Sequence, residues 1–230
     1  MIIFQLGMKE ETRSAQTIPS RTWTPELIKN EFPYFSNKLV AKICERPESE
    51  RNRIIEALNE IGKIAGNSRA TEITGSNVVI DLNIFNIKGD KFTELLVKYP
   101  DQLLEIAKIS GKDTFSTFVL FKCMAKSFEQ YPDKFVEIAK AAGNGTFNAF
   151  RLLAIDVVNS AFVKDPEKLT RAFVEIASAV PPGSIANVFA ILNLNNAPEL
   201  FANDPTKFAE IAKANPRRTI DAFVRNITGS

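Results

Sequence analysis

One recurring segment constrains the fold of this chain more than any other feature of its sequence. Four copies are marked by prolines at spacings of 32, 34 and 39 residues, namely Pro100, Pro132, Pro166 and Pro205. Each proline is followed by the tetrad Glu-Ile-Ala-Lys or Glu-Ile-Ala-Ser, which begins at Glu105, Glu137, Glu175 and Glu210. Six residues past each tetrad lies a hydroxyl residue: Thr114, Thr146, Ser184 and Thr219. A degenerate fifth copy follows Pro47. The recurrence predicts a series of similar helical hairpins.

Each residue type that recurs in the segment has a physical role. Proline fits the first turn of a helix, where its missing N–H would have no partner. It also keeps the preceding residue out of the helical region, so the previous helix should end at Tyr99, Tyr131, Asp165 and Asp204. We expect the Thr or Ser to be the N-cap of the second helix, accepting a bond from a backbone N–H. Gly111, Gly143 and Gly145 fit the turn between the helices.

The third copy supports the helical interpretation. Four more residues separate Pro166 from Phe173 than separate Pro132 from Phe135. Four residues add about one helical turn and keep the apolar face nearly in phase. The sequence therefore predicts first helices over about 101–109, 133–141, 167–179 and 206–213, and second helices over about 115–130, 147–163, 185–193 and 220–227.

This pattern resembles the helical-hairpin repeats of α-solenoids, loosely those of the tetratricopeptide and HEAT classes. The resemblance covers roughly residues 90–230 and rests on the period and on an apolar residue four positions before each proline, although the Trp and Leu-Gly pattern of tetratricopeptide repeats is missing. It implies an all-α superhelix, a right-handed solenoid of about five hairpins. We expect an irregular arm at 1–22 and one domain at 23–230, with repeats near 47–88, 99–130, 131–164, 165–203 and 204–230.

The N-terminal third of the chain is less regular. Thr24-Pro25 predicts a helix start, Phe32-Pro33 predicts its end, and 36–44 and 48–65 read as two further helices. The alternating charges on the last of these, including Arg51 and Arg53, indicate a solvated face. Residues 78–87 alternate like a strand, but the repeat context favours a second helix with Ser76 as its cap.

The composition of the chain limits the classes of function that it can have. The net charge of +2, from 29 basic and 27 acidic residues, disfavours a general nucleic-acid or membrane-surface binder. No transmembrane run or signal peptide is visible, so we expect a soluble cytoplasmic protein without a membrane partner. Cys44 and Cys123 are too far apart in sequence for a disulfide framework, and both are expected to be buried apolar residues.

Catalytic chemistry is not favoured by the residue types present. The chain has no histidine, the commonest general base and metal ligand. We therefore expect no enzyme, no catalytic or metal site and no cofactor. The recurring tetrad glutamates are open to two interpretations, a ladder of ligands or exposed positions that link helices; the second is favoured, with a weak i, i+3 pair to the tetrad lysine.

The second helices carry the most interesting candidate site. They are apolar nearly all round, which predicts a central buried layer or, alternatively, a groove for a partner helix or peptide. Four polar residues of the second copy are expected to lie close to one stripe: Asn148, Arg151, Asp156 and Asn159. The other copies are mostly apolar at these positions, as a specific binding surface would require. An ordinary solvated face would give the same pattern.

Three functions remain open from the sequence. The favoured one is a scaffold that binds another protein or a peptide on the inner face of its second helices. A nucleic-acid-binding array would use Arg217, Arg218 and Arg225, with Arg151. A carrier of an apolar ligand would need a closed Phe-rich cavity. A homo-oligomer is compatible with all three.

Overall fold

The chain forms an all-α structure in the computed structural model, which describes residues 22–73 and 90–229. Within those two ranges there are fourteen α-helices and no strand. The helices are α1 Pro25–Glu31, α2 Asn37–Cys44, α3 Glu48–Ile73, α4 Asp90–Lys98, α5 Pro100–Ser110, α6 Thr114–Gln130, α7 Pro132–Ala142, α8 Thr146–Leu153, α9 Asp156–Lys164, α10 Pro166–Ala179, α11 Ile185–Ile191, α12 Ala197–Asn203, α13 Pro205–Ala214 and α14 Thr219–Thr228. Residues 1–21 of the predicted arm at 1–22 lie outside the described residues, as does the doubtful segment 78–87.

The prolines begin helices as predicted. Each of the four repeat prolines is the first residue of α5, α7, α10 or α13. The residue before each proline is non-helical, with φ between −128° and −147°. In the last two copies this residue is Asp165 or Asp204, whose carboxylate also accepts a hydrogen bond from a backbone N–H three residues on. The prediction that Tyr99, Tyr131, Asp165 and Asp204 end the preceding helices is therefore confirmed.

The threonine after each hairpin turn was predicted to be an N-cap, and this was wrong. Thr114 and Thr146 are the first residues inside α6 and α8, and both are buried. Their hydroxyls donate backwards: Oγ1 of Thr146 lies 3.2 Å from the Ala139 carbonyl oxygen and 2.6 Å from that of Gly143. The hydroxyl thus serves the carbonyl end of the first helix, where acceptors lack intrahelical partners.

The turn itself is repeated with the same geometry in the first two copies. Gly111 and Gly143 both have φ of +52°, with ψ of −119° and −120°, so glycine is required there. Gly145 differs, because its φ is −90°. A Cβ atom on Gly145 would lie 2.9 Å from Cγ2 of Ile185 and 3.1 Å from the backbone nitrogen of Ala186. Gly145 lies in the turn as predicted, but a positive φ is not the reason for a glycine there: the next hairpin packs against it.

The third copy departs from the alignment by one residue. Helix α11 begins at Ile185, while Ser184 precedes it as the N-cap residue and makes no side-chain capping bond. Ile185 therefore occupies the place that Thr114 and Thr146 hold at the starts of α6 and α8. The turn explains this one-residue difference. It runs here through Val180 and Pro181, which are extended, instead of through a glycine with positive φ.

Helices of like position contact one another in chain order. In one row, α3 packs against α5, α5 against α7, α7 against α10 and α10 against α13. In a second row, α6 packs against α8, α8 against α11 and α11 against α14. A third set of contacts joins α2 to α4, α4 to α6, α6 to α9 and α9 to α12. Each hairpin therefore contacts mainly the hairpins before and after it.

Phenylalanine rings fill the space between these rows. Phe121 contacts Phe118, Phe128, Phe135 and Phe150 with ring centroids 4.8–5.9 Å apart. Further along, Phe201 links Phe173 to Phe208, at 5.3 and 5.8 Å. Edge-to-face contacts dominate, which is a favourable arrangement for aromatic quadrupoles. The recurring Phe positions of the sequence produce these two aromatic clusters.

The break between α8 and α9 and the helix α4 were not predicted. The stretch 147–163 is not one helix: α8 ends at Leu153, Ile155 is extended with ψ of 128°, and α9 starts at Asp156. The interruption after Asn193, in contrast, was predicted and is confirmed, with Asn195 at φ of +49°. Helix α4 was missed, although it occupies the same place before a proline as α9 and α12.

The N-terminal helices form where the sequence predicts them, but one charged residue is less exposed than expected. Thr24 and Ser36 cap α1 and α2, accepting bonds from Leu27 N and Leu39 N. Arg51, expected on a solvated face, is instead half-buried. Its guanidinium donates to the carbonyl oxygens of Trp23, Cys44 and Arg46 at 2.7–3.0 Å. It ties the end of α2 and the chain before α1 to α3.

Candidate protein-interaction surface

The four predicted stripe residues do not lie on one helix. Asn148 and Arg151 belong to α8, while Asp156 and Asn159 belong to α9, beyond the break at Ala154 and Ile155. The prediction of a single stripe assumed a continuous helix, and the break overturns that assumption. Two of the four residues are engaged in bonds between neighbouring hairpins, and two are exposed.

Asn148 belongs to the contact between α8 and α11. Its Nδ2 donates to the Ala186 carbonyl oxygen at 3.1 Å. In return, Nδ2 of Asn193 donates to the Asn148 carbonyl oxygen at 3.0 Å and to that of Phe189 at 2.7 Å. Gly145 also contacts the start of α11. The two asparagine side chains and Gly145 therefore lie together where the second and third hairpins meet.

Asn159 plays a corresponding part between α9 and α6. Its Oδ1 accepts a hydrogen bond from the hydroxyl of Ser127, which is buried, and its Nδ2 donates to the Cys123 carbonyl oxygen at 3.3 Å. An amide can satisfy a donor and an acceptor at once. Asn159 therefore has a structural role that explains its polarity without a ligand.

Arg151 and Asp156 remain as the exposed members of the predicted site. Both side chains are open to solvent at the end of α8 and the start of α9. In the described part of the chain no ion pair involves either side chain. Arg151 and Asp156 thus place one positive and one negative charge on the two sides of the break between α8 and α9.

The apolar faces of the second helices are filled by the chain itself. Phe150, Leu152, Leu153 and Val158 are completely buried. Among the described residues, the large apolar side chains that are exposed are Val163, Leu194 and Val224. They are single residues on α9, on the turn before α12 and on α14, and isolated exposed apolar residues are normal. The described second helices therefore match the buried-layer alternative of the sequence analysis.

The two cysteines were both expected to be buried, and this was wrong for Cys123. Cys123 is exposed on α6, next to the exposed Lys122, while Cys44 is half-buried at the end of α2. Burial raises the pKa of the Cys44 thiol, and the nearby Arg51 opposes that shift.

Two of the four tetrad glutamates link neighbouring hairpins in the described structure. Glu105 pairs with Lys140 of the next copy at 2.7 Å, and Glu175 with Lys213 of the next copy at 3.1 Å. Lys134 bridges Glu167 and Glu137 at 2.8 and 3.2 Å, and the hydrogen bond to Glu167 raises the pKa of Lys134. Within the described ranges no group of acidic, cysteine or histidine side chains could hold a metal ion. Glu105 and Glu175 therefore pair with a lysine of the next copy, whereas Glu137 pairs with Lys134 of its own helix.

The predicted arginines lie at the last hairpin. Arg217 and Arg218 are exposed in the turn before α14, and Arg225 is exposed on α14 itself. Arg217 and Arg218 line a cleft of about 230 Å³ together with residues of the α10–α11 turn and α11. In the described structure none of these three arginines takes part in an ion pair.

The fold defines an all-α protein whose helices pack against one another. In comparisons with protein families, with curated proteins and with solved structures, the chain shows no match to any of them. Across the described residues no single helix is long and apolar enough to cross a membrane, and two sharply bent helix pairs, within 132–164 and 166–191, meet the length and composition requirement alone.

Proposed function

We propose that this protein is a non-enzymatic interaction scaffold, a right-handed α-solenoid that binds another protein or a peptide. One observation carries the proposal: like helices contact like helices in chain order, each hairpin against its neighbours. Arrays of this kind expose a long surface relative to their core and commonly use it to bind partners. The cytoplasmic location expected from the sequence stays a prediction.

The candidate contact surface is the exposed side of the second helices around the α8–α9 break. Arg151 and Asp156 are the residues that present free charges there, whereas Asn148 and Asn159 hold the neighbouring hairpins in place. A partner that binds here would use charged and polar contacts, which give specificity and speed association more than they add affinity.

Site-specific photo-cross-linking in the native host tests this surface. A photoreactive amino acid at Arg151 or Asp156 is expected to cross-link one discrete partner, which mass spectrometry then names. The matched control places the same amino acid at Arg171, which is exposed on α10 in the row of first helices. Equal labelling from Arg171, or no discrete product from Arg151 and Asp156, would contradict the proposed surface.

A nucleic-acid-binding array is the second candidate, favoured by one observation. Arg217, Arg218 and Arg225 are all exposed on the last hairpin and none of them is in an ion pair within the described structure. Binding to phosphates would release counterions, so affinity would fall steeply as salt rises. The absence of a fluorescence-anisotropy change with single-stranded RNA and duplex DNA at low salt would dismiss this candidate.

A further inference from the structure

The last hairpin carries the chain's excess of positive charge. Residues 205–228, which form α13 and α14, contain five basic and two acidic residues, a net charge of +3. The whole chain has a net charge of +2, so the remainder is slightly negative. A local excess of one sign attracts partners of the other sign.

The cleft beside α14 combines that charge with a small apolar floor, formed by Pro216 and Ile220. It is lined by Val180 and Val188 from the neighbouring hairpin, which are almost completely buried, and by Pro216 and the half-buried Ile220. Its remaining lining residues are polar or charged: Ser184, Arg217, Arg218, Thr219 and Asp221. The volume of about 230 Å³ is below the range of about 300–1,000 Å³ that is usual for small-molecule sites. It suits a single side chain better than a whole cofactor.

The charges around the cleft favour an anionic occupant. Arg217 and Arg218 are adjacent in sequence and exposed, and Arg225 follows on the exposed side of α14. Asp221 is the one carboxylate in the lining, and no ion pair joins it to either arginine in the described structure. Arginine binds carboxylates in a two-pronged geometry, which suits the side chains of Asp and Glu.

We propose that this cleft docks an acidic peptide segment of a partner protein, with one apolar side chain seated on Pro216 and Ile220. Arg217 and Arg218 pair with carboxylates that flank the apolar residue. The inference deepens the proposed scaffold function and rests on it, since it names the chemistry of the partner. A peptide is favoured over nucleic acid because a nucleic acid would need a longer basic stripe and would make no use of the apolar floor.

Binding of designed peptides to the full chain tests the proposal. The probe is a fluorescent peptide of glutamate and glycine residues around one central leucine, measured by anisotropy. Changing that leucine to asparagine is expected to weaken binding by about tenfold, as is the double variant Arg217→Glu with Arg218→Glu. The control double variant reverses two exposed charges on α10, Lys168→Glu with Arg171→Glu, and is expected to bind within about twofold of the unmodified chain.

Each alternative gives a distinct result. Equal weakening by both double variants, or indifference to the leucine, would show attraction by net charge alone and overturn the proposal. Tighter binding of a single-stranded RNA of equal charge at the same salt would favour a nucleic-acid surface instead. The last outcome concerns the Arg217→Glu, Arg218→Glu variant with the photoreactive amino acid at position 151. If this variant keeps its thermal stability and still cross-links the partner, the docking role of the cleft is overturned and the scaffold function is left intact.

Discussion

Buried hydroxyls in this protein fall into two groups that differ only in their hydrogen bonds. Thr114 and Thr146 donate to carbonyl oxygens at the end of the preceding helix. Thr117 and Thr170 are equally buried, yet their hydroxyls have no hydrogen-bond partner within the described structure. A satisfied hydroxyl adds modestly to stability, whereas a buried one without a partner costs free energy.

The threonine pair gives a matched test of this difference. Thr146→Val should lower the free energy of unfolding by about 1–2 kcal/mol, because it removes the donor to Ala139 and Gly143. Thr117→Val removes a hydroxyl that has no partner and should leave stability unchanged or raise it. Urea denaturation of both variants measures the two effects, and a loss of similar size in Thr117→Val would contradict the assignment.

Gly145 is the residue that sets the distance between the second and third hairpins. Gly145→Ala should destabilise the protein by about 1–3 kcal/mol, since its Cβ would press on Ile185 and on the backbone of Ala186. Gly183→Ala, where a Cβ meets nothing within 4 Å, should change stability by less than about 0.5 kcal/mol. Thermal melting of the two variants compares them; equal behaviour would mean that close approach of α11 does not constrain Gly145.

The two cysteines should differ in reactivity. Cys44 is half-buried with a raised pKa, so a smaller share of its thiol is the reactive thiolate at about pH 8 than in a solvated cysteine. We expect iodoacetamide to alkylate the exposed Cys123 first, as followed by peptide mass spectrometry. Unfolding in urea should remove the difference, and faster reaction at Cys44 in the folded protein would count against the packing at the end of α2.

Helices of neighbouring hairpins are held in register by asparagine and by ion pairs, and the asparagines should matter more. The Glu105–Lys140 pair is exposed on both sides, and such pairs contribute about 1 kcal/mol or less. The Asn159 amide, in contrast, serves a buried Ser127 hydroxyl and the Cys123 carbonyl oxygen. Both described hydrogen bonds between α6 and α9 therefore involve the Asn159 side chain.

A double-mutant cycle measures this link. Asn159→Ala should cost about 1–3 kcal/mol, because it leaves the Ser127 hydroxyl buried without a partner. Combining it with Ser127→Ala should cost less than the sum of the two single changes by at least about 0.5 kcal/mol. Asn187→Ala, on the exposed side of α11, serves as the control and should be nearly neutral. Additive effects at Ser127 and Asn159 would show that the two helices are not coupled through this bond.

Helix starts were readable from the sequence, whereas the break between α8 and α9 was not. Proline at the first turn acts locally, so Pro100, Pro132, Pro166 and Pro205 mark their helices without tertiary information. The break falls at Ala154 and Ile155, which are neither glycine nor proline, so no local signal announces it. The aligned stripe of Asn148, Arg151, Asp156 and Asn159 failed as a stripe for that reason. The cleft beside α14 was equally hidden, since its lining comes from two hairpins.

At the scale of the whole molecule, the central claim is that successive hairpins lie side by side in sequence order. The contacts from α5 to α7, α7 to α10 and α10 to α13 support it. A compact bundle would instead bring the first and last copies together. In a stacked array the separation between equivalent positions must grow with the number of hairpins between them.

Distances between spin labels test that claim most directly. Lys108, Ser178 and Lys213 end the tetrads of the first, third and fourth copies and are all exposed, so each accepts a label in a chain with Cys44→Ala and Cys123→Ser. Neighbouring packed helices lie about 8–10 Å apart. Double electron–electron resonance is therefore expected to give roughly 20 Å between positions 108 and 178 and roughly 30 Å between 108 and 213. A distance from 108 to 213 that is no longer than that from 108 to 178 would contradict the stacked array.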